Sequence, residues 1–270
     1  AGVGKSRLVD EFAAALEQGG EELNFIFGGY PPGGAATGAG AFSAAYREQL
    51  GDADLTRKLG ELLPDSTGLA PAFAAFLRGV PPPAGAQVLD RDAILTVFVN
   101  LSRSLSRERP TLVLIDDLHF APDEGRSLFA ALAHAVGEDR LLLVGTYRPG
   151  LPAPYLAELG RLDQTSQLGL GRLSRNEVEE LLAEAVGSER TAEQLLDPVL
   201  EKSDGNPYIV FEFLTALRNA GRLVPRGPRA WSVVGTVRDI EAPRTMKDLV
   251  ESRIGLLDED ERELLEVAAC

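Results

Sequence analysis

The pattern of apolar and polar positions divides the chain into strand and helix segments. Segments 111–117 and 141–148 run through continuous apolar residues to polar ones, which is typical of parallel strands buried on both faces. A shorter apolar segment, 24–28, predicts another strand, and 166–170 is a further candidate. Because helical segments separate these strands, the pattern predicts an α/β fold built on a doubly wound parallel sheet.

Apolar residues spaced three or four positions apart predict the helices. In the first part of the chain these are a helix opening after Ser6, then 41–50, 55–63, 91–108 and 127–136. Beyond Leu173 the predicted elements are helices 175–186, 192–203 and 207–219, an isolated strand at 231–234, and helices 245–257 and 259–269. Ser174 and Glu177 have the spacing of a capping box at the start of the first of these helices.

Composition excludes several classes of function. The chain has 270 residues, with 27 basic against 41 acidic side chains and a formal net charge of -14. Such a charge repels nucleic acid, and no basic run offsets it. A single cysteine cannot form an internal disulfide, and no apolar run approaches the length of a membrane span. We therefore expect a cytoplasmic protein that contacts neither membrane nor nucleic acid directly.

The first residues, "AGVGKSRLV", contain the second half of the phosphate-binding pattern G-x-x-x-x-G-K-S/T. In this pattern backbone N–H groups surround the phosphates, the lysine contacts the terminal phosphates, and the hydroxyl binds Mg²⁺. The predicted nucleotide-binding residues here are Gly2, Val3, Gly4, Lys5, Ser6 and Arg7. The first glycine and the strand before it are expected upstream of Ala1.

Polar residues follow two of the predicted strands at the edge where ligands bind in such sheets. Asp116 and Asp117 end one strand, where one carboxylate can organise Mg²⁺ and its neighbour can polarise an attacking water. Thr146 and Arg148 end the next, where a polar group and a cation suit the γ-phosphate. Each signal alone has a structural explanation, since acids cap helices and Arg148 could be a loop residue. Together, in this order, they indicate an ATPase that uses ATP and Mg²⁺.

Five segments carry a resemblance to a known family: "AGVGKSRLV", "LVLIDDLHFAPDE", "LLLVGTYRP", "SDGNPYIVFEFLTAL" and "DLVESRIGLLDEDERELLEVAA". They resemble the AAA-like ATPase module of the signal-transducing ATPases with numerous domains (STAND). The resemblance implies a P-loop NTPase core with helices on both faces of its sheet over residues 1–171. It also implies a small helical domain over 172–222 and the start of a winged helix, cut short, over 223–270.

The resemblance also assigns roles to residues. It implies that Lys5 and Ser6 hold the β- and γ-phosphates with Mg²⁺, that Asp116 organises the metal, and that Asp117 is catalytic. It makes Arg148 the sensor of the γ-phosphate. Pro207, within Gly205-Asn206-Pro207, would pack on the nucleotide base. His119 belongs to the family string, and a structural role is expected for it.

The leading hypothesis is a slowly hydrolysing ATP-driven switch within a multidomain bacterial signalling or transcription-regulatory protein. Its partners would be ATP and ADP, and fused kinase, cyclase, tetratricopeptide or DNA-binding domains, with nucleotide-dependent self-association open. One alternative is a DNA-associated ATPase resembling origin-binding proteins, against which the net charge argues. Another is a scaffold that binds nucleotide without hydrolysing it, for which the presence of both acids gives no support.

Overall fold

The computed structural model describes residues 2–20, 22–33, 39–135, 137–228 and 230–237, together with positions 254, 257, 258, 261, 264 and 265. The chain divides into two compact units. Val9–Leu168 form one, called here the sheet unit. Ala1–Leu8 with Gly169–Cys270 form the other, the helical unit. The helices predicted at 245–257 and 259–269, and with them the winged helix, lie outside the described residues apart from those single positions.

Three parallel strands form the sheet of the sheet unit. They are β1 (Asn24–Gly29), β2 (Thr111–Asp116) and β3 (Leu141–Gly145), in the spatial order β1-β2-β3. Phe25 pairs with Leu112, and Leu112 pairs with Leu142, so all three strands end at the same edge. The three strands were predicted from their apolar runs, and the parallel α/β sheet is confirmed.

The helices of this unit follow the predicted order. They are α1 (Lys5–Gln18, whose first turn is grouped with the helical unit), α2 (Gly40–Leu50), α3 (Leu55–Leu62), α4 (Ala70–Arg78), α5 (Arg91–Glu108), α6 (Asp123–Ala135) and α7 (Ala153–Leu159). Short 3₁₀ segments occupy Pro64–Leu69 and Leu118–Phe120. Helices α4 and α7 have no counterpart among the sequence predictions.

Both faces of β2 are buried, which explains its uninterrupted apolar sequence. Val113 and Ile115 join the main core, whereas Leu112 and Leu114 are buried on the opposite face. The centre of the core is aromatic: the Phe98 ring on α5 lies edge-on to those of Phe42, Tyr46 and Phe73, with centroid distances of 5.0–6.0 Å. Such edge-to-face contacts add about 0.5–1.5 kcal/mol each beyond the burial of area. The core therefore holds β2 and its terminal acids on a rigid support.

The strand predicted at Ser166–Leu170 is wrong. These residues have no regular secondary structure, and Leu168 is 75% exposed. An isolated extended segment leaves its N–H and C=O groups without partners, so a strand forms only beside another strand. Residues 166–170 pair with none of the strands that the structure describes.

Three complete helices and a hairpin lie in residues 169–237 of the helical unit. The helices are α8 (Arg175–Val186), α9 (Glu189–Ser203) and α10 (Pro207–Asn219). Their buried apolar faces form a separate core that includes Val178, Leu195 and Phe213. The predicted capping box is confirmed: the Ser174 hydroxyl accepts from the Glu177 N–H, and the Glu177 carboxylate accepts from the Ser174 N–H.

The strand expected to be isolated at 231–234 is instead half of a hairpin. Strand β5 (Trp231–Val233) pairs antiparallel with β4 (Leu223–Pro225), a segment that carries no apolar alternation long enough to reveal it. The Trp231 ring lies under the guanidinium of Arg218, 4.7 Å from its centroid, in a cation–π contact. This contact joins the hairpin to the end of α10.

Candidate functional site

The polar residues after β2 and β3 form one hydrogen-bonded cluster in the sheet unit. The Thr146 hydroxyl donates to Oδ1 of Asp116. The Asp117 N–H donates both to the same Oδ1, at 3.0 Å, and to the Thr146 hydroxyl oxygen, at 3.2 Å. Sequence reasoning placed these three residues at the ends of neighbouring strands, and the structure brings them into contact.

The register of the two strands explains why these groups meet. Ile115 pairs with Gly145, so Asp116 and Thr146 are the next residues along their strands. The backbone ladder continues past the strand ends, because the Thr146 N–H donates to the Ile115 carbonyl at 3.0 Å and the Leu118 N–H to the Thr146 carbonyl at 2.8 Å. Thr146 is buried at 8% exposure, whereas Asp116 is half-buried. The buried Thr146 hydroxyl therefore fixes the orientation of the Asp116 carboxylate.

Asp117 has a left-handed backbone, with φ 52° and ψ 43°. Aspartate tolerates this region better than most residues, and here it ends the strand and starts the 3₁₀ turn Leu118–Phe120. The Asp117 side chain is 28% exposed, and its Oδ1 lies 3.8 Å from His119 Nδ1. The two neighbouring acids are thus held differently: Oδ1 of Asp116 accepts two hydrogen bonds, and the Asp117 carboxylate is accessible to solvent.

Arg148 and His119 complete this part of the site. The Arg148 N–H donates to His119 Nδ1 at 3.4 Å, while the Arg148 side chain is exposed. The His119 side chain is 11% exposed and its ring packs against that of Phe120, with centroids 4.0 Å apart. His119 thus packs within the turn, as a structural residue would. It also accepts a hydrogen bond from Arg148, the residue that the sequence analysis assigned as a sensor.

The phosphate-loop residues belong to the helical unit. Gly2 and Gly4 have φ angles of 76° and 93°, which favour glycine, and α1 begins directly at Lys5. The Gly4 carbonyl accepts from the Leu8 N–H at 2.9 Å and continues the first helical turn. Lys5 is half-buried and Ser6 is exposed. A helix that begins after such a loop, as the sequence predicted, directs the N–H groups of its first turn toward a bound anion.

Gly2 also contacts the start of α10. The Gly2 carbonyl accepts from the Tyr208 N–H at 3.4 Å. A Cβ at Gly2 would lie 2.9 Å from Asn206 Oδ1 and 2.9 Å from the Tyr208 Cβ. Pro207, the predicted base contact, is the first residue of α10, and Asn206 is its N-cap, with Oδ1 accepting from the Tyr208 N–H at 3.0 Å. The sequence analysis included Asn206 in the string Gly205-Asn206-Pro207 but gave it no role, although an Asn before a Pro is a usual signal of a helix start.

Mg²⁺ coordination by these residues is consistent with their chemistry. In the described part of the chain, no group of three His, Cys, Asp or Glu side chains could hold a metal ion. Mg²⁺ with a nucleotide needs no such group, because phosphates and waters supply most of its ligands. Oδ2 of Asp116 accepts no hydrogen bond from the described residues and suits a water-mediated metal contact.

None of the helices described has the length and apolar character that a membrane crossing requires.

A parallel sheet with an acid pair after its middle strand, and a Gly-Lys-Ser segment that opens a helix, are each features of P-loop NTPases. A family model for the AAA ATPase domain matches residues 1–144, which is more than half of the chain. The chain belongs to this AAA ATPase domain family. Membership of the family indicates nucleotide binding and suggests ATPase activity.

Other comparisons add little to this assignment. Two point mutants of RuvB from Thermotoga maritima are similar structures, each with a TM-score of 0.32. One is 13% identical, with 97% of this chain and 75% of that chain covered. The other is 17% identical and covers 83% and 77%. No curated protein matches the chain. These scores are too low to support an inference about function.

Proposed function

We propose that this chain is an ATP-binding, slowly hydrolysing switch module of a multidomain bacterial signalling or transcription-regulatory protein. The observation that carries the proposal is the contact of Asp116 and Asp117 with Thr146 at the ends of two parallel strands. It supports hydrolysis because it separates a fixed carboxylate from an accessible one. The STAND-like segments of the sequence support the regulatory role.

In this proposal the phosphate loop binds the nucleotide. The N–H groups of Gly2, Val3 and Gly4 surround the phosphates, and Lys5 contributes a charge-assisted contact to the terminal ones. Ser6 and Asp116 are the residues that would hold Mg²⁺, which would neutralise charge on the phosphate oxygens. Arg7, exposed on the first turn of α1, adds a second positive charge near the loop.

The catalytic roles go to Asp117 and Arg148. Asp117 accepts a proton from, or orients, the attacking water, since its carboxylate is accessible and accepts no hydrogen bond from Thr146. Arg148 contacts the γ-phosphate, where negative charge develops in the transition state. Thr146 contributes to nucleotide binding by holding the metal-organising carboxylate.

Regulation would proceed through the helical domain. Pro207 packs on the base, and the bond between Gly2 and Tyr208 joins the phosphate loop to the start of α10. A change at the loop therefore acts directly on α10. We propose domain limits at 1–171, 172–222 and 223–270, with the effector or sensor domains of the whole protein outside them, and we include nucleotide-dependent self-association among its proposed interactions.

Calorimetry and phosphate release with the Lys5→Ala variant test the proposal. In the full-length protein this variant should lose most of its affinity for Mg-ATP, since charge-assisted contacts contribute about 1.5–3 kcal/mol each. Lys202→Ala, which removes a lysine from α9, is the matched control and should bind Mg-ATP normally. Equal affinities for the two variants would contradict the phosphate-loop assignment. Normal binding by wild type without phosphate release would contradict hydrolysis.

A further inference from the structure

His119 accepts the one hydrogen bond that Arg148 forms within the described part of the chain. The Arg148 N–H donates to His119 Nδ1, and among the described residues Arg148 forms no other hydrogen bond and no ion pair. Pro149, which follows, has no N–H to offer, and Gly150 has a φ of 132°. Tyr147, which precedes it, packs on the core and accepts a hydrogen bond from Gln167, so His119 supplies the next hydrogen-bonded contact along this segment.

The His119 side chain itself is held firmly. The His119 ring is 11% exposed and packs on Phe120, within the 3₁₀ turn that follows the acid pair. That turn is joined to β3 by the bond from the Leu118 N–H to the Thr146 carbonyl, 2.8 Å long. The segment after β2 thus contacts the segment after β3 at two residues: Leu118 bonds to Thr146, and the buried His119 ring bonds to Arg148.

The same nitrogen faces the second acid. His119 Nδ1 lies 3.8 Å from Asp117 Oδ1 and 3.4 Å from the Arg148 nitrogen. Acceptance of a hydrogen bond from the Arg148 N–H requires an Nδ1 without a proton, so this contact implies the tautomer with its proton on Nε2. The imidazole therefore lies between the Asp117 carboxylate and the backbone of Arg148.

We propose that His119 is a positioning residue that sets the separation of Arg148 from Asp117. The inference rests on the proposed function, because these two residues are there the γ-phosphate contact and the water-orienting acid. His119 touches no reacting group, so its effect passes through Arg148. Loss of the acceptor should lower the ATP-over-ADP preference and the rate of hydrolysis, while the phosphate loop still binds the nucleotide.

Three substitutions separate the acceptor from the bulk of the ring. Asparagine places an oxygen near the position of Nδ1, glutamine places its polar group near Nε2, and alanine has neither. We expect His119→Asn to retain the ATP-to-ADP affinity ratio and the kcat of wild type. His119→Gln and His119→Ala should lower both by about 2- to 10-fold, the range expected for one neutral hydrogen bond. Equal losses in all three variants, with unchanged melting temperatures, would overturn the proposal.

A double-mutant cycle tests whether the effect passes through Arg148. If it does, His119→Ala should have no effect on the affinity ratio in a protein that already carries Arg148→Ala. Additive effects of the two substitutions would overturn the inference, because they would show that His119 acts independently of the arginine.

A readout without ATP separates this inference from the proposed function. Residues 1–270 contain two histidines, so in a ¹⁵N spectrum of this segment carrying His134→Asn the imidazole signals come from His119 alone. We expect an unprotonated Nδ1, and an Arg148 amide that exchanges faster with solvent in His119→Ala than in His119→Asn. A protonated Nδ1 overturns the inference even if the protein hydrolyses ATP. Conversely, the expected tautomer in a protein that releases no phosphate would contradict the proposed function and support the contact.

Discussion

The Thr146 hydroxyl donates a hydrogen bond to Oδ1 of Asp116 across the ends of two parallel strands. That oxygen also accepts from the Asp117 N–H, so one side of the carboxylate is occupied by the protein. The other oxygen, Oδ2, is left for a ligand. A buried hydroxyl thus decides which way the proposed metal-organising acid points.

Replacement of Thr146 by valine tests this orientation. Valine keeps the shape of the side chain and removes the donor to Asp116. Hydrogen bonds to charged groups contribute about 1.5–3 kcal/mol, so the Mg²⁺ concentration for half-maximal phosphate release should rise by about 10- to 150-fold. Thr146→Ser keeps a hydroxyl and is the matched control. A Mg²⁺ dependence unchanged in Thr146→Val would show that the bond has no part in metal binding.

The two acids should respond differently to the loss of their charge. Asp117→Asn is expected to bind Mg-ATP normally but to slow phosphate release by about 10²- to 10⁴-fold, since it removes a general base without removing a metal contact. Asp116→Asn should weaken the Mg²⁺ dependence of binding itself. Calorimetry with and without Mg²⁺, beside single-turnover hydrolysis, measures both effects. Identical behaviour of the two variants would contradict the division of roles.

Gly205 is required by the contact between the loop before α8 and the start of α10. It has a φ of 70°, and a Cβ there would lie 2.2 Å from the Leu173 carbonyl oxygen. The Gly205 carbonyl also accepts from the Leu173 N–H at 2.8 Å. Gly205→Ala should therefore lower the free energy of unfolding of the helical unit by more than the roughly 1 kcal/mol of a left-handed backbone alone.

Gly221→Ala is the control for this prediction. Gly221 has a similar φ of 65°, but a Cβ there would meet no atom within 4 Å. Urea unfolding followed by the fluorescence of Trp231, the single tryptophan, measures both variants in the helical unit. If Gly221→Ala destabilises the unit as much as Gly205→Ala, the close approach of residue 205 to Leu173 does not contribute to the free energy of unfolding.

The capping box at α8 predicts a pH dependence of stability. Hydrogen bonds from the hydroxyl and N–H of Ser174 lower the pKa of the Glu177 carboxyl below its ordinary value of 4.5. Because the pKa is lower in the folded state, the stabilisation is complete above pH 4.5 and is lost as the pH falls through the folded-state pKa. Glu177→Gln keeps an acceptor but does not titrate.

The difference in melting temperature between wild type and Glu177→Gln, measured from pH 7 down to about pH 3, checks this sign. As the pH falls, the melting temperature of wild type should decrease relative to that of Glu177→Gln. A difference that is constant over the whole range would show that the carboxylate charge has no part in the cap.

Some features could be predicted from the sequence because each is encoded within a few consecutive residues. The acid pair at 116–117 follows an apolar run long enough to identify a buried strand, and Ser174 with Glu177 fits a spacing rule of three residues. The contact from Gly2 to Tyr208 was not accessible, since more than 200 positions separate the two residues and no local pattern records it. The error at 166–170 has the same origin: polar and apolar alternation is local, but a strand requires a neighbour.

The sequence by itself determined the order of the strands and helices, the acids that end β2, and the start of α1, because apolar periodicity and capping preferences act within a few residues. Only the tertiary structure decided that Thr146 orients Asp116 and that His119 holds Arg148. These contacts join residues 29 or 30 positions apart. They arise from the parallel register that pairs Ile115 with Gly145, and that register is set by packing across the whole core.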